Sequence, residues 1–142
     1  MSKYFEVGVR YEKTQENGTA KKVTESYLID ALSFSEVEKR ITEEMEAYIS
    51  GEFSVVTEKI TNISDVINTE DVLADKFYKV KFNIVTVDEK TGKERKQTQL
   101  IVVKASSNDD ARDRYKQYYK DTPVDLVLEA VSETKYIDYI SY

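Results

Sequence analysis

The sequence predicts an α+β fold made of two tandem ββαβ units, with a mainly antiparallel sheet packed by two helices. Three features of the 142 residues lead to this prediction. Several segments alternate apolar and polar residues, as half-buried strands do. Two other segments carry apolar residues at helical spacing behind a capping sequence. The order strand, turn, strand, helix, strand then occurs twice along the chain.

The first unit begins with a hairpin. Its first strand covers about residues 4–13, and Asn17-Gly18 predicts the turn because both residues tolerate positive φ. A second strand follows over about residues 22–32. Gly8, within the first strand, would allow another backbone or a ligand to approach closely. The residues predicted to face inward are Phe5, Val7, Val9, Tyr11, Tyr27, Ile29 and Ala31.

A helix and further strands complete the first unit. The segment "SFSE" at residues 33–36 has the form of a capping box, so a helix begins there. Gly51 ends the helix, a strand follows over residues 53–60, and a short strand ends at Ile67. The apolar stripe predicted for the helix consists of Val37, Ile41, Met45, Tyr48 and Ile49.

The second unit repeats these elements in the same order. Its second strand contains "LIVV", whose continuous apolar character predicts burial on both faces and a central place in the sheet. Its helix has capping residues Ser107 and Asp110, an apolar stripe that includes three tyrosines, and a stop at Pro123. The pattern aligns Phe5 with Tyr78, Gly18 with Gly92, Ser33 with Ser107, Phe53 with Val124, Ile60 with Val131, and residues 64–67 with residues 137–140.

These repeats define the domain organisation that we expect. Residues 1–67 form the first unit, residues 68–75 a polar connector, and residues 76–142 the second unit. One helix cannot cover the sheet of a unit this small, so we expect both units to share one core. The prediction is therefore one globular domain with pseudo-two-fold symmetry and a sheet of six or more strands.

The composition argues against an enzyme. The chain contains no histidine and no cysteine, which removes the commonest acid–base residue, thiol nucleophiles and the usual zinc ligands. We therefore predict a non-enzymatic protein with no cofactor and no metal site. The absence of cysteine also fits a cytoplasmic protein, and no apolar run approaches the length that a membrane span needs.

The net charge of −6 is unevenly distributed. Residues 76–104 hold eight basic and three acidic side chains, a net charge of +5, whereas residues 33–75 hold eleven acidic and three basic ones, a net charge of −8. Aromatic and basic residues together on a sheet face can bind single-stranded nucleic acid, by stacking bases and holding phosphates. The candidate residues for such a surface are Tyr4, Arg10, Phe77, Lys79, Lys81, Lys93, Arg95 and Lys96.

Other kinds of binding are compatible with the same sequence. The acidic helix residues Glu43, Glu44 and Glu46 offer a surface for a basic partner protein, for example a host protein. A nucleotide could bind where the repeats meet. The terminal segment "TKYIDYISY" is a strand that either closes the sheet or pairs with a second copy in a homodimer.

Three long phrases resemble a known family: "YFEVGVRYEKTQENGTAKKVTESYLIDALSFSEVEKRITEEM", "ISGEF" and "FYKVKFNIVTVDEKTGKE". They resemble domain-of-unknown-function proteins of Bacteroides-type bacteria and of their phages and mobile elements, over essentially the whole chain. The resemblance implies no activity and no catalytic residue. It implies a phage or mobile-element setting, where small proteins often serve replication, recombination or evasion of host defence.

Overall fold

The computed structural model describes residues 3–141 and divides into two compact units. Unit 1 takes its residues from Met1–Asn62 and Lys135–Tyr142, and unit 2 is Ile63–Thr134. The described residues form eight strands and two helices, in an order that repeats ββαββ twice. These are β1 (Lys3–Thr14), β2 (Ala20–Ala31), α1 (Phe34–Tyr48), β3 (Phe53–Ile60), β4 (Asp65–Ile67), β5 (Lys76–Val87), β6 (Glu94–Ala105), α2 (Asn108–Tyr118), β7 (Asp125–Glu133) and β8 (Tyr136–Ile140).

Unit 1 is a four-stranded sheet with the order β3-β1-β2-β8. The pairs β1–β2 and β1–β3 are antiparallel, whereas β8 runs parallel to β2. A bulge opposite Gly8 interrupts the β1–β3 register, and a Cβ at Gly8 would lie 3.3 Å from the Cβ of Thr57. The group that approaches Gly8 closely is therefore the side chain of Thr57 on β3, and not a ligand or another backbone. The buried cluster of this unit consists of Phe5, Val7, Val9, Tyr27, Ile29, Ala31, Val37, Ile41, Met45 and Ile140.

Unit 2 has the same arrangement, with the order β7-β5-β6-β4. The pairs β5–β6 and β5–β7 are antiparallel, β4 runs parallel to β6, and a bulge follows Lys81 as it follows Gly8 in unit 1. Gly92 takes a φ of 70° in the hairpin turn, and Gly18 takes 83° in the turn of unit 1. The buried cluster consists of Tyr78, Val80, Phe82, Ile101, Val103, Ala105, Ala111 and Tyr115.

The fourth strand of each sheet comes from the other repeat. After β3, the chain enters unit 2 and β4 pairs with β6; after β7, it returns to unit 1 and β8 pairs with β2. A threonine fixes the chain before each crossing. The backbone N–H and hydroxyl of Thr61 both donate to the Tyr4 carbonyl, at 2.9 and 2.7 Å, and those of Thr134 both donate to the Phe77 carbonyl, at 2.8 Å.

The α+β class, the two helices and the mainly antiparallel pairing are confirmed. The predicted single sheet of six or more strands is wrong, because the structure has two four-stranded sheets. Each sheet has its own buried cluster beneath its own helix. Two separate sheets form because β4 and β8 are exchanged between the repeats, so that each three-stranded sheet gains a fourth strand at its edge.

The alignment predicted for the third strand of each unit is shifted by two residues. Ile60 lies opposite Phe5. The residue opposite Tyr78, which matches Phe5, is Glu133, two residues after the predicted Val131. Val131 instead occupies the register position of Glu58. A shift of two leaves every side chain on the same face of the strand, so the apolar pattern alone could not detect it.

Both faces of the central strands are buried at one end. Leu28 and Val102 point away from the helices and are 0 % exposed, and Phe77 on the same side is 2 % exposed. The burial of "LIVV" on both faces is therefore confirmed, and β6 is an interior strand of its sheet. We call the sheet face that does not contact the helix the helix-distal face.

One buried tyrosine of unit 2 has an unusual environment. Tyr115 lies in an aromatic group with Phe82 and Tyr119, and its hydroxyl is buried without a hydrogen-bond partner. Burial raises the pKa of Tyr115. The matching residue of unit 1 is Ile41, which fills the same position of α1 without any polar group. The hydroxyl of Tyr115 is therefore a net cost to folding.

Replacing Tyr115 with phenylalanine is expected to raise the free energy of unfolding by up to about 1 kcal/mol, since an unpaired buried hydroxyl is removed. Tyr11→Phe is the matched control, because the Tyr11 hydroxyl donates to Glu25 at 2.6 Å. That control should instead lose about 1 kcal/mol. Urea denaturation of both variants measures the difference, and a clear loss of stability in Tyr115→Phe would contradict the assignment.

Candidate functional site

Helix α1 carries the acidic surface, and its first turn is held by a capping box. Ser33 accepts a hydrogen bond from the Glu36 N–H at 3.3 Å, and the Glu36 carboxylate accepts one from the Leu32 N–H at 3.3 Å. Arg40 pairs with Glu36 at 2.7 Å and donates to the Asp30 carbonyl at 2.9 Å. These contacts fix the start of the helix to β2, so the direction of its exposed half is defined.

The second half of α1 is acidic, with Glu43 and Glu46 exposed and Glu44 half-buried. The helix holds five acidic residues against Lys39 and Arg40, a net charge of −3. Its last turn contains no basic residue, and none of the ion pairs among the described residues involves Glu43, Glu44 or Glu46. Carboxylates at the C-terminal end oppose the helix dipole. These side chains therefore do not stabilise the helix that carries them.

Tyr48 differs from the sequence prediction. Val37, Ile41 and Met45 are buried as predicted, but Tyr48 is 74 % exposed. It is the last residue of α1, and the helix ends there because the next residue, Ile49, takes an extended backbone conformation with a φ of −108° and a ψ of 118°. The helical pattern places residue 48 near the stripe, but at this point the sheet no longer lies beneath the helix.

Glu43, Glu44 and Tyr48 share a groove between α1 and the end of β8. The groove has a volume of about 250 Å³. Its apolar floor is formed by Ala47, Tyr48 and Ile140, and two carboxylates and Arg40 surround that floor. The groove could accommodate an apolar side chain flanked by basic ones. We call it the acidic groove; its lining residues are Arg40, Glu43, Glu44, Ala47, Tyr48, Ile140 and Ser141.

Unit 2 has a groove at the matching position, with different chemistry. It lies between α2 and the end of β4, has a volume of about 440 Å³, and includes Arg114 and Ile67 where unit 1 has Arg40 and Ile140. Gln117 and Tyr118 replace Glu43 and Glu44. The Tyr118 hydroxyl donates to Asp65 at 3.0 Å. Asp113 lines this groove beside Arg114, so its lining has no net charge, whereas the lining of the unit 1 groove has a net charge of −1.

In unit 1, the predicted nucleic-acid residues Tyr4 and Arg10 lie on the helix-distal face of β1. Tyr4 is half-buried, and its ring centroid lies 6.2 Å from that of Tyr139. Arg10 is exposed and lies beside Glu12 and Glu52, on a mixed-charge cleft of about 320 Å³. Tyr4 therefore offers little free ring surface, and Arg10 lies among acidic groups.

In unit 2, the predicted aromatic of this surface is covered. Phe77 is 2 % exposed, with the Lys104 Nζ 5.8 Å from its ring centroid, so it cannot stack on a base. Lys79 is half-buried on the same helix-distal face. Lys81 is exposed there and pairs with Glu129 at 3.5 Å. The predicted stacking platform is missing because both faces of this sheet are buried near Phe77.

The remaining predicted residues lie toward the tip of the β5–β6 hairpin and are exposed. Lys96 shares the helix-distal face with Lys81, whereas Arg95 points to the opposite face and pairs with Asp88 at 3.6 Å. Lys93 lies at the turn. The basic residues therefore divide between two faces and the turn, and do not form one continuous patch.

Glu58 of β3 forms a carboxyl pair with Glu38 of α1. Burial raises the pKa of Glu58, and the charge of Glu38 and a hydrogen bond to it raise that pKa further. One oxygen of Glu58 is buried without a partner. The matching residue of unit 2 is Val131, which packs against the buried cluster there. Glu58 thus places a carboxylate where the fold accepts an apolar residue.

Replacing Glu58 with glutamine is expected to raise the free energy of unfolding at pH 7, because it removes the carboxylate charge. The gain should not exceed about 1 kcal/mol, because solvent partly screens the Glu58–Glu38 pair. The sign follows from the raised pKa. The unfolded glutamate loses its proton near pH 4.5, earlier than the folded one, so ionisation destabilises the fold as pH rises. The gain should vanish near pH 4, and a gain that persists there would contradict this explanation. Thermal unfolding from pH 4 to pH 7 measures it.

Sequence reasoning missed several residues of the acidic groove. It assigned Tyr48 to the core and gave no role to Arg40, Ala47 or Ile140. The short spacing from Glu44 to Tyr48 does place both on one side of a helix, but nothing local shows that β8 lies beside them.

Among residues 3–141, no group of three or more acidic side chains could hold a metal ion. Neither described helix has the length and apolar character that a membrane crossing requires.

The fold and its exposed charged surfaces define a small α+β protein with a candidate interaction groove. The chain belongs to a family known as domain of unknown function DUF4494, whose model matches residues 3–142. No curated protein and no solved structure matches the chain.

Proposed function

We propose that this protein is a non-catalytic binding protein that attaches to a basic partner protein through the acidic groove. The observation that supports this most is the position of three carboxylates at the negative end of α1. Glu43, Glu44 and Glu46 take part in no ion pair among the described residues, and Glu46, which lies in the last turn, opposes the helix dipole. A basic partner would remove this unfavourable arrangement, whereas folding gains nothing from it.

The groove adds an apolar contact to the charge. Tyr48 is 74 % exposed at the end of the helix and lies beside Ala47 and Ile140. Tyrosine is enriched where binding energy is concentrated in protein interfaces, because a large rigid ring buries much area at low entropic cost. Charge supplies orientation and fast association, and the aromatic floor supplies affinity.

The setting that we propose comes from the resemblance and the composition. The partner would be a host protein, met in the cytoplasm of a Bacteroides-type bacterium by a protein of a phage or mobile element. A chain without cysteine suits a reducing compartment. A homodimer stays a prediction, which light scattering of the purified protein would test.

Charge reversal tests the proposal. The purified chain is used to recover proteins from a lysate of a Bacteroides-type host, and the recovered protein is then purified so that its dissociation constant can be measured directly. Glu43→Lys with Glu44→Lys should weaken binding at least about 30-fold, by analogy with charged interface residues. The same variant should remain folded, because lysine near the end of a helix is favourable.

A matched control separates the groove from net charge. Glu12→Lys with Glu16→Lys makes the same change in charge at exposed positions outside the groove. It should change the dissociation constant by no more than about threefold. Equal losses in both variants, or wild-type binding by Glu43→Lys with Glu44→Lys, would reject the groove as the binding site.

Single-stranded nucleic acid is the second candidate, and one observation favours it. Lys79, Lys81 and Lys96 share the helix-distal face of unit 2. However, Phe77 is buried, so phosphate contacts would have to act without base stacking. Binding of an oligonucleotide at low salt that weakens with Lys79→Glu plus Lys81→Glu would support this function.

A further inference from the structure

Part of the β6 edge has no neighbouring strand. β6 runs over Glu94–Ala105, but β4 pairs only with Ile101–Val103, and Ser64 adds one hydrogen bond to the Leu100 carbonyl at 2.8 Å. Within the described part of the chain, nothing pairs with residues 94–99 on that side. The side chains of residues 94–98 are all exposed. An open edge of this kind can receive another strand.

The direction of the backbone groups shows which residues would bind it. The Leu100 carbonyl faces β4, so Leu100 and every second residue before it face the open edge. Conversely, the Lys93 carbonyl accepts from the Asp88 N–H at 2.9 Å. The backbone N–H and C=O groups of residues 95, 97 and 99 therefore point toward β5. The free backbone N–H and C=O groups are therefore those of Lys96 and Thr98, with Glu94 at the end.

The charge of the strands indicates which kind of segment could bind at the open edge. β5 and β6 together hold six basic residues and one acidic residue, a net charge of +5. The matching strands β1 and β2 together hold five basic and four acidic residues, a net charge of +1. A second copy pairing through β6 would bring two positive strands together. The other edge of the sheet, β7, is interrupted by a bulge opposite Lys81 and Phe82. β6 is thus positively charged, pairs with β5 without a bulge, and has an open edge over residues 94–99.

We propose that residues 94–99 of β6 bind an extended acidic segment of a second protein, which adds to the sheet as a further strand beyond the end of β4. Lys96 and Thr98 supply the backbone hydrogen bonds. Lys93, Arg95 and Lys96 attract the acidic side chains and repel basic strands and other copies of this chain. This surface shares no residue with the acidic groove, so the inference stands independently of the function proposed above.

The test uses the whole chain and a defined probe. The probe is a capped peptide of about eight residues that alternates threonine and glutamate, the length of an ordinary strand. Binding is followed by NMR of the nitrogen-labelled protein. The peptide should shift the amide signals of Lys96 and Thr98 and slow their hydrogen exchange at least about tenfold, because these amides gain a partner. A peptide of threonine and lysine should not.

Three variants separate backbone pairing from charge. Lys96→Pro removes an outward N–H that β5 does not use, a substitution that edge strands tolerate. Lys96→Ala removes the charge and keeps the N–H. Lys22→Pro makes the same change at the matching position of β2. Lys96→Pro should raise the dissociation constant at least about tenfold above that of Lys96→Ala, and Lys22→Pro should change it less than about twofold.

Several outcomes would overturn the inference. Equal binding by Lys96→Pro and Lys96→Ala would show that charge alone holds the peptide. Binding of oligothymidylate in preference to the acidic peptide, with equal losses in both variants, would assign the surface to nucleic acid. Self-association that Lys96→Pro abolishes would assign the edge to a second copy. If Lys96→Pro does not fold, unchanged exchange of the Lys96 and Thr98 amides in the wild-type protein at saturating peptide rejects the proposal.

Discussion

Replacing Tyr136 with alanine is expected to lower the free energy of unfolding by about 3–5 kcal/mol, as for other large buried aromatics. Tyr136 is the first residue of β8 and is 6 % exposed. Its hydroxyl donates to Glu6 at 2.8 Å, and Lys59 pairs with the other oxygen of Glu6 at 2.9 Å. Alanine would leave a cavity and would remove the side chain that fixes β8 to β1.

Tyr136→Phe serves as the control for this large effect. It keeps the ring and removes only the hydrogen bond to Glu6, so the expected loss is about 1 kcal/mol. Urea denaturation of the wild type and both variants gives the three free energies. Equal stability of the alanine and phenylalanine variants would mean that the ring does not secure β8. In that case β8, the strand that comes from the second repeat, would add little to the stability of unit 1.

Alkaline pH is expected to unfold the protein between about pH 10 and pH 12. A hydrogen bond to Glu25 raises the pKa of Tyr11 to about 12, and burial raises the pKa values of Tyr27 and Tyr119 to about 12. Burial and the hydrogen bond to Glu6 also raise the pKa of Tyr136. In the unfolded chain these tyrosines ionise near pH 10, so the unfolded state loses protons first and stability falls as pH rises.

The number of protons released measures this effect. Unfolding above pH 10 should release up to about four protons, one for each of these tyrosines. The circular dichroism should change in one steep transition, and the tyrosinate absorbance that rises with it should correspond to these four tyrosines. Tyr27→Phe should make the transition shallower by about one proton. Ionisation of Tyr27 before any loss of structure, read as the difference in tyrosinate absorbance between the wild type and Tyr27→Phe, would contradict the protection that burial and carboxylate neighbours provide.

The acidic groove shows how far sequence reasoning reaches in finding a site. The acidic character of Glu43, Glu44 and Glu46 follows directly from the sequence, and their positions outside the buried stripe follow from the helical spacing. The apolar floor does not. Ile140 lies almost a hundred residues away in the chain, and it meets α1 only because β8 pairs with β2. Charge patterns are local, whereas a groove needs two elements that only long-range pairing brings together.

The burial of Phe77, one residue of the predicted nucleic-acid surface, was beyond sequence reasoning for a related reason. Alternation correctly placed Phe77, Lys79 and Lys81 on one face of β5. It could not show that this face is covered at Phe77 and open at Lys81, because a strand with both faces buried and a strand with one face exposed differ in tertiary contacts. The period of a strand states which residues share a face, but not what covers that face.

The sequence by itself determined the local elements and their repeated order. Capping boxes, hairpin glycines and the two apolar periods are written in neighbouring residues, and each acts over a few residues of chain. Only the tertiary structure decided where β4 and β8 pair, and hence that there are two four-stranded sheets. Strands of three and five residues carry too little pattern of their own to choose a partner. The buried surface and hydrogen bonds that each receives from the other repeat's sheet make that choice.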